Sequence, residues 1–204
     1  MNFLNIKKIF SKKIITLLPL SFFMASPSYA EIIDINNSEY LVETIIDEAT
    51  KKMGELVGAK EVRVQWAADG CGGTYYNPRQ NLICLNKEKY KGTSLAFAAA
   101  HEYAHHLQYS KDKFGDLNTL RSELQADCFA GIILATIPGI SFNNDEIDNM
   151  LKFAFYDLGD NNYDSDNHHG SGENRALAFR SGLAFGRSKG EYKDNYYKMF
   201  CLAK

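Results

Sequence analysis

The chain has 204 residues, a formal net charge of −2 and four cysteines. This length is sufficient for one domain with a substantial hydrophobic core, and it is short for two domains once an N-terminal leader is set aside. The slightly acidic balance argues against nucleic acid as a partner, because proteins that bind its phosphates carry an excess of Lys and Arg.

Residues 1–30 have the pattern of a signal peptide. Four lysines precede an apolar stretch, 14–25, that is too short to span a bilayer comfortably, and a small-x-small cleavage motif follows at 28–30. We expect cleavage before Glu31. An uncleaved membrane anchor is the alternative, which Pro19 disfavours because it interrupts the apolar run.

The predicted mature chain, residues 31–204, is one domain. Loss of the four leader lysines changes its net charge to about −6, and no other segment is long and apolar enough to cross a membrane. We therefore expect a monomer that lies in the periplasm or outside the cell, without stable membrane insertion after the signal is removed.

All four cysteines lie in the predicted mature chain. An even number of cysteines in an exported protein indicates two disulfides, and three pairings are possible. Cys71 and Cys84 flank a predicted hairpin, so we favour the pattern Cys71–Cys84 with Cys128–Cys201. Zinc ligation is the competing use of cysteine, but the sequence contains no CxxC pair.

The spacing of apolar residues predicts an α+β fold. Amphipathic periodicity over 38–57 indicates a helix with Ser38 as its N-cap, and alternation over 61–66 indicates a strand. Residues 74–76 and 81–85 flank an Asn-Pro-Arg-Gln turn, so we expect a small antiparallel sheet. Capping residues and Gly or Pro stops predict four further helices, at about 93–109, 117–137, 144–158 and 173–185.

His101, Glu102 and His105 form an HExxH sequence on the predicted helix 93–109. Residues four apart lie on one helix face, so the two imidazoles can point to one tetrahedral zinc ion. The carboxylate of Glu102 can take a proton from water at the metal and later deliver a proton to the leaving amine. A short motif also arises by chance, so hydrogen-bonded or surface histidines are the alternative.

Glu123 offers a third ligand, because it lies on the next predicted helix, eighteen positions beyond His105, after a short turn that would return the chain antiparallel. Asp127 shares a helix face with Glu123. It is therefore placed to accept the free imidazole N–H of a ligand histidine. Acids four apart commonly lie on solvated helix faces, but their distance from the HExxH sequence favours a metal site.

Three segments resemble the neutral zinc metallopeptidase family of bacteria, and HExxH followed by ExxAD resembles the gluzincin arrangement: HEYAHHLQ at 101–108, ELQADCFAG at 123–131 and HGSGENRALAFRSGLAFG at 169–186. The resemblance covers about residues 74–186 and leaves the N-terminal helix without support. It implies a zincin fold, one catalytic zinc ion and the residue roles given above. It also supports pairing of Cys128 with Cys201, with a free buried cysteine as the alternative.

His169 is the candidate donor to the oxyanion that forms when water attacks a carbonyl group. It lies in the polar loop 159–172, within a segment that resembles the family, and a surface position is the alternative. Tyr163 is a weaker candidate for the same role. We expect His168 and His106 to be exposed and to have no part in catalysis.

Two further features could contact a substrate. Arg175 and Arg180 on the last predicted helix can pair with acids of the active-site helices or meet a substrate carboxylate, and we favour the pairing. The strand 81–85 can hold an extended peptide by backbone hydrogen bonds if it lies at the sheet edge beside the cleft. Alternatively, this strand only covers the core.

Together these features predict a zincin-like α+β domain with a small antiparallel sheet, an HExxH active-site helix and a mainly helical lower half. The expected function is hydrolysis of peptide bonds in a peptide or protein substrate by an exported zinc metallopeptidase. Two alternatives stay open. One is a catalytically silent protein that binds zinc or peptides, and the other is a zinc hydrolase of a non-peptide amide.

Overall fold

The computed structural model describes residues 36–55, 58–110, 119–160, 168–189 and 201. The predicted signal peptide and Tyr163 lie outside these residues. Within them the chain forms five α-helices: α1 (Ser38–Ala49), α2 (Gly92–Ser110), α3 (Thr119–Thr136), α4 (Asn144–Phe153) and α5 (Gly172–Lys189). None of the described helices combines the length and the hydropathy needed to cross a bilayer.

The helix ends follow local side-chain chemistry. Asn37, rather than the predicted Ser38, caps α1, because its side chain accepts a hydrogen bond from the backbone N–H of Tyr40 at 3.2 Å. Asn143 and Glu146 form a reciprocal capping box at the start of α4. The predicted helices 38–57 and 144–158 each contain an α-helix that continues into a π-helical turn, at Thr50–Gly54 and Ala154–Leu158.

The sheet is mixed, so the predicted all-antiparallel sheet is wrong. Its strands are β1 (Arg63–Trp66), β2 (Tyr75–Asn77) and β3 (Leu82–Leu85), in the order β1-β3-β2. The hairpin makes β2 antiparallel to β3, as predicted, whereas β1 pairs with β3 in parallel. After β1 the chain crosses to the far side of the sheet and forms β2 there. The hairpin then turns the chain back, so that β3 lies between the two and runs parallel to β1. The strand 82–85 is therefore central, and β2 forms an edge.

Helix α2 lies in the core and positions the HExxH residues there. Apart from three histidines, Glu102 is the only acidic or basic residue in this helix. Most of its residues are buried, including Phe97, Tyr103 and Leu107, and it packs against α1, α3 and β3. A helix that is apolar on most faces is stable only when it is surrounded by other elements. A polar site on α2 is therefore held on a rigid support.

Two close contacts fix α5 against α3. A Cβ at Gly131 would meet backbone atoms of Phe179, and a Cβ at Gly182 would meet the backbone carbonyl of Cys128. Only glycine allows the two helix backbones to approach this closely. Because α3 carries Glu123 and Asp127, this packing brings the start of α5 to the same place as the two acids.

The structure contains both predicted disulfides, Cys71–Cys84 and Cys128–Cys201. The first joins the connection after β1 to the central strand β3. The second ties α3, at the residue after Asp127, to the C-terminal part of the chain. No described cysteine is free, so the alternatives of cysteine as a zinc ligand and of a free buried cysteine are excluded for these four residues.

Candidate metal centre and catalytic cleft

Helices α2 and α3 bring together the three side chains that the sequence predicts as metal ligands. Nε2 of His101 and Nε2 of His105 lie 3.1 Å apart. The carboxylate of Glu123 lies 3.2 Å from the first nitrogen, through Oε2, and 3.4 Å from the second, through Oε1. One ligand atom from each residue lies within 4.8 Å of the others, so the three side chains can hold a metal ion.

The spacing of these atoms fits zinc. Zinc bonds of about 2.0–2.1 Å to His nitrogen and carboxylate oxygen place the ligand atoms of a tetrahedral site roughly 3.3 Å apart. The two imidazole nitrogens lie 3.1 Å apart, close to this value, and each of them lies within 3.4 Å of one of the two carboxylate oxygens of Glu123. The donor set of two imidazoles and one carboxylate is also that of catalytic zinc sites, which leave the fourth position to water or substrate.

Asp127, which the sequence analysis places beside a ligand histidine, contacts His101. Its Oδ1 lies 2.9 Å from Nδ1 of His101, and its side chain is fully buried. Contact at Nδ1 leaves Nε2 directed to the metal position. Burial alone would lower the pKa of His101, but the hydrogen bonds and charges of Asp127 and Glu123 raise this pKa to about 10.

Arg175 pairs with the acids of α3, in agreement with the favoured prediction. Its Nε and one terminal nitrogen donate to the two carboxylate oxygens of Asp127 at 2.7 and 2.9 Å, and the same terminal nitrogen lies 3.2 Å from Glu123. Burial opposes the charge of Arg175, but the two carboxylates outweigh it and raise the pKa of the guanidinium. Arg180 is exposed on α5 and is not among the residues that line the cleft.

Glu102 is buried at the floor of the cleft, with only 8% of its surface exposed. Burial raises the pKa of its carboxyl group, while the neighbouring charges of His101 and His105 and a backbone hydrogen bond from Tyr76 act in the opposite direction. A raised pKa makes the carboxylate a stronger base, which suits a group that must take a proton from water.

His105 contacts Gln108, a residue to which the sequence analysis assigns no role. Its Nδ1 lies 2.7 Å from Oε1 of Gln108, one helical turn further along α2. The i, i+3 spacing was the available signal, because residues three apart on a helix are neighbours. The sequence alone does not show whether such a glutamine points towards the histidine or towards solvent.

The remaining histidines differ in their positions. His169 is half exposed at the cleft, and its Nδ1 lies 3.5 Å from Oε1 of Glu123. His168 is buried against Asp160, and His106 is buried, with Nε2 2.8 Å from the carbonyl of Lys60. The prediction that His168 and His106 are exposed is therefore wrong: His168 contacts Asp160 within the loop before α5, and His106 joins α2 to the segment before β1.

A cleft of about 530 Å³ opens over the three ligand side chains. Strand β2 contributes one wall through Tyr75 and Tyr76, and Tyr90, Phe153 and Leu158 contribute to the lining elsewhere. The edge strand beside the cleft is thus β2, and the strand 82–85 is not. A cavity of this size can bury a few residues of an extended peptide.

No curated protein sequence and no solved structure is significantly similar to this chain. One family model does match it, over residues 31–133, with the description "Putative neutral zinc metallopeptidase". The match includes α1, the sheet, the HExxH helix and the acids of α3, so the N-terminal helix has the support that the sequence resemblance alone did not give it. The matched segment spans half of the chain, and the chain belongs to this zinc metallopeptidase family.

Proposed function

We propose that this chain is an exported, zinc-dependent metallopeptidase with a zincin-like fold that hydrolyses peptide bonds. The observation that carries the proposal is the group of His101, His105 and Glu123, whose ligand atoms lie within 4.8 Å of one another in an open cleft, close enough to share one ion. The family match supports zinc as the metal.

In this proposal His101, His105 and Glu123 hold the zinc ion. Zinc held there would supply Lewis-acid chemistry, which polarises a carbonyl group and makes water a stronger acid. The carboxylate of Glu102 accepts the proton of the attacking water and delivers it to the nitrogen of the leaving amine. Asp127 keeps Nδ1 of His101 occupied, so that Nε2 stays directed to the ion.

His169 is the proposed donor to the oxyanion of the tetrahedral intermediate. His169 lines the cleft, and its Nδ1 lies 3.5 Å from a carboxylate oxygen of Glu123. Asp160 anchors this position, since its carboxylate accepts the backbone N–H of His169 at 2.7 Å and also contacts His168. An anchored backbone with a half-exposed side chain suits a group that must reach a bound substrate.

An extended peptide or protein segment is the proposed substrate. Strand β2 is an edge of the sheet and lines the cleft, so an extended peptide can lie along its outer side, next to the metal site. Aromatic side chains along the cleft add apolar contact area for substrate side chains.

Export is supported by the two disulfides, because such bonds persist mainly in oxidising compartments outside the cytoplasm. The buried Glu102 beside the ligand group favours a hydrolase over a protein that only binds zinc. A silent site has no use for the buried carboxylate of Glu102, which costs free energy to desolvate.

A peptide library tests this proposal. Purified protein, with its zinc content measured, is incubated with the library, and the products are identified by mass spectrometry. We expect cleavage that a chelator stops and added zinc restores. Stoichiometric zinc without any cleavage would favour the silent binding protein, and cleavage that persists in chelator would contradict a metal-dependent mechanism.

A further inference from the structure

We infer that Gln108 is a positioning residue that fixes the tautomer and the ring orientation of His105, so that Nε2 of this histidine is presented to the metal. The inference rests on the metal site of the proposed function and adds to it a fourth side chain on α2. It concerns ligand geometry only, and it holds whether or not the zinc-loaded protein hydrolyses peptides.

The orientation of the Gln108 amide is decided by its partners on α3. Its Nε2 donates to the backbone carbonyl of Ser122 at 2.8 Å and to Oε1 of Gln125 at 2.9 Å. A backbone carbonyl only accepts hydrogen bonds, so the amide nitrogen must face Ser122. The hydroxyl of Ser122 in turn donates to Oε1 of Gln108 at 3.0 Å.

The orientation of the amide then decides the proton position on His105. Oε1 of Gln108 lies 2.7 Å from Nδ1 of His105, and an amide oxygen accepts a hydrogen bond but cannot donate one. Nδ1 must therefore carry the proton. In a neutral imidazole the other nitrogen, Nε2, then has its lone pair free, and this is the atom that lies beside Glu123 and His101.

The surroundings of Gln108 hold this arrangement in place. Only 9% of its surface is exposed, and Gln125 is 3% exposed, so water competes little for these hydrogen bonds. Ser122, whose carbonyl and hydroxyl both contact the Gln108 amide, directly precedes Glu123 on α3, so these contacts also join α2 to the segment that carries the third ligand. The two histidines are thus oriented by different chemistry: His101 by a carboxylate and His105 by a neutral amide.

The test compares Q108M with Q125M. Methionine keeps a similar length in both variants and removes the amide. Gln125 is a matched control, because it is a buried glutamine that bonds to Gln108, while the Ser122 carbonyl still fixes the amide orientation of Gln108 when Gln125 is replaced. The readouts are the zinc Kd, from competition with a chromogenic chelator, and the melting temperature in excess chelator.

We expect Q108M to weaken zinc binding by about 10–100-fold, as loss of a ligand-orienting partner typically does, and Q125M to leave the zinc Kd close to wild type. Equal zinc affinity for Q108M and wild type, or equal weakening in both variants, would show that Gln108 only joins two helices. Absence of zinc binding by the wild-type protein would instead defeat the proposed metal site itself, so the two failures are distinguishable.

A second measurement decides the matter if Q108M does not fold. In ¹⁵N-histidine-labelled, zinc-loaded wild-type protein, two-bond ¹H–¹⁵N correlations identify the protonated and the metal-bound nitrogen of each imidazole. We expect His105 to be protonated at Nδ1 and bound through Nε2. Metal bound through Nδ1 of His105 would overturn the inference.

Discussion

The guanidinium of Arg175 and the carboxylate of Asp127 form a two-point pair, with N–O distances of 2.7 and 2.9 Å, in the interior of the protein. Both side chains are almost completely buried. Paired in this way, Asp127 contacts Nδ1 of His101, while Arg175 also reaches Glu123. The positive charge of Arg175, at the start of α5, therefore balances the negative charges of Asp127 and Glu123 at the metal site.

Removing this cation should destabilise the protein. We expect R175M to lose about 3–5 kcal/mol of unfolding free energy, because it leaves the buried carboxylate of Asp127 without its partner. R180M on the same helix is the matched control and should change stability by less than about 0.5 kcal/mol, since Arg180 is exposed. Urea denaturation in excess chelator measures both values without a contribution from zinc binding. Equal stabilities for the two variants would contradict a structural role for the pair.

Glu102 should be needed for turnover and not for zinc binding. We expect E102Q to keep one zinc ion per chain and to lose at least about 100-fold in kcat, because an amide cannot accept the proton of the attacking water. Zinc content by atomic emission and cleavage rates on one library-derived peptide measure the two effects. A variant that cleaves as fast as wild type would refute the general-base assignment.

Glu123, unlike Glu102, should be needed for zinc binding. E123A removes one of three protein ligands, so we expect the variant to lose its zinc during dialysis against a weak chelator under conditions in which the wild type retains it. E173A, on the exposed face at the start of α5, is the control for a general effect of removing a negative charge. Full zinc retention by E123A would exclude Glu123 from the ligand set.

The two disulfides should differ in their contribution to stability. The cross-link Cys128–Cys201 closes a loop of 73 residues and Cys71–Cys84 one of 13. Chain-entropy arguments give about 4 kcal/mol for the longer loop and about 3 kcal/mol for the shorter one. The double variants C128A/C201A and C71A/C84A, compared by urea denaturation, should rank in that order. The reverse order would show that strain or residual structure outweighs loop entropy.

Much of the site could be predicted from the sequence, because its main spacings are local. His101 and His105 lie four apart on one helix, and Glu123 and Asp127 lie four apart on the next, so each pair shares a face whatever the rest of the fold is. The pairing of Arg175 with these acids followed from charge alone, and its exact partners required the packing of α5 on α3.

The wrong predictions concern contacts between residues distant in sequence, which no local sequence pattern indicates. The parallel pairing of β1 with β3 depends on the path of the chain between β1 and β2, and strand alternation is the same for either direction. His106 is buried because the carbonyl of Lys60, distant in sequence, lies beside it. The sequence does not indicate a role for Gln108, because that role depends on contacts with Ser122 and Gln125 on the neighbouring helix.

The position of the metal is the central claim, and zinc-edge anomalous diffraction from crystals of the zinc-loaded protein tests it most directly. We predict one strong anomalous peak per chain, bounded by Nε2 of His101, Nε2 of His105 and the carboxylate of Glu123, at the floor of the cleft beside Glu102. A peak at any other group of side chains, or no peak in crystals of protein that contains zinc in solution, would contradict the account.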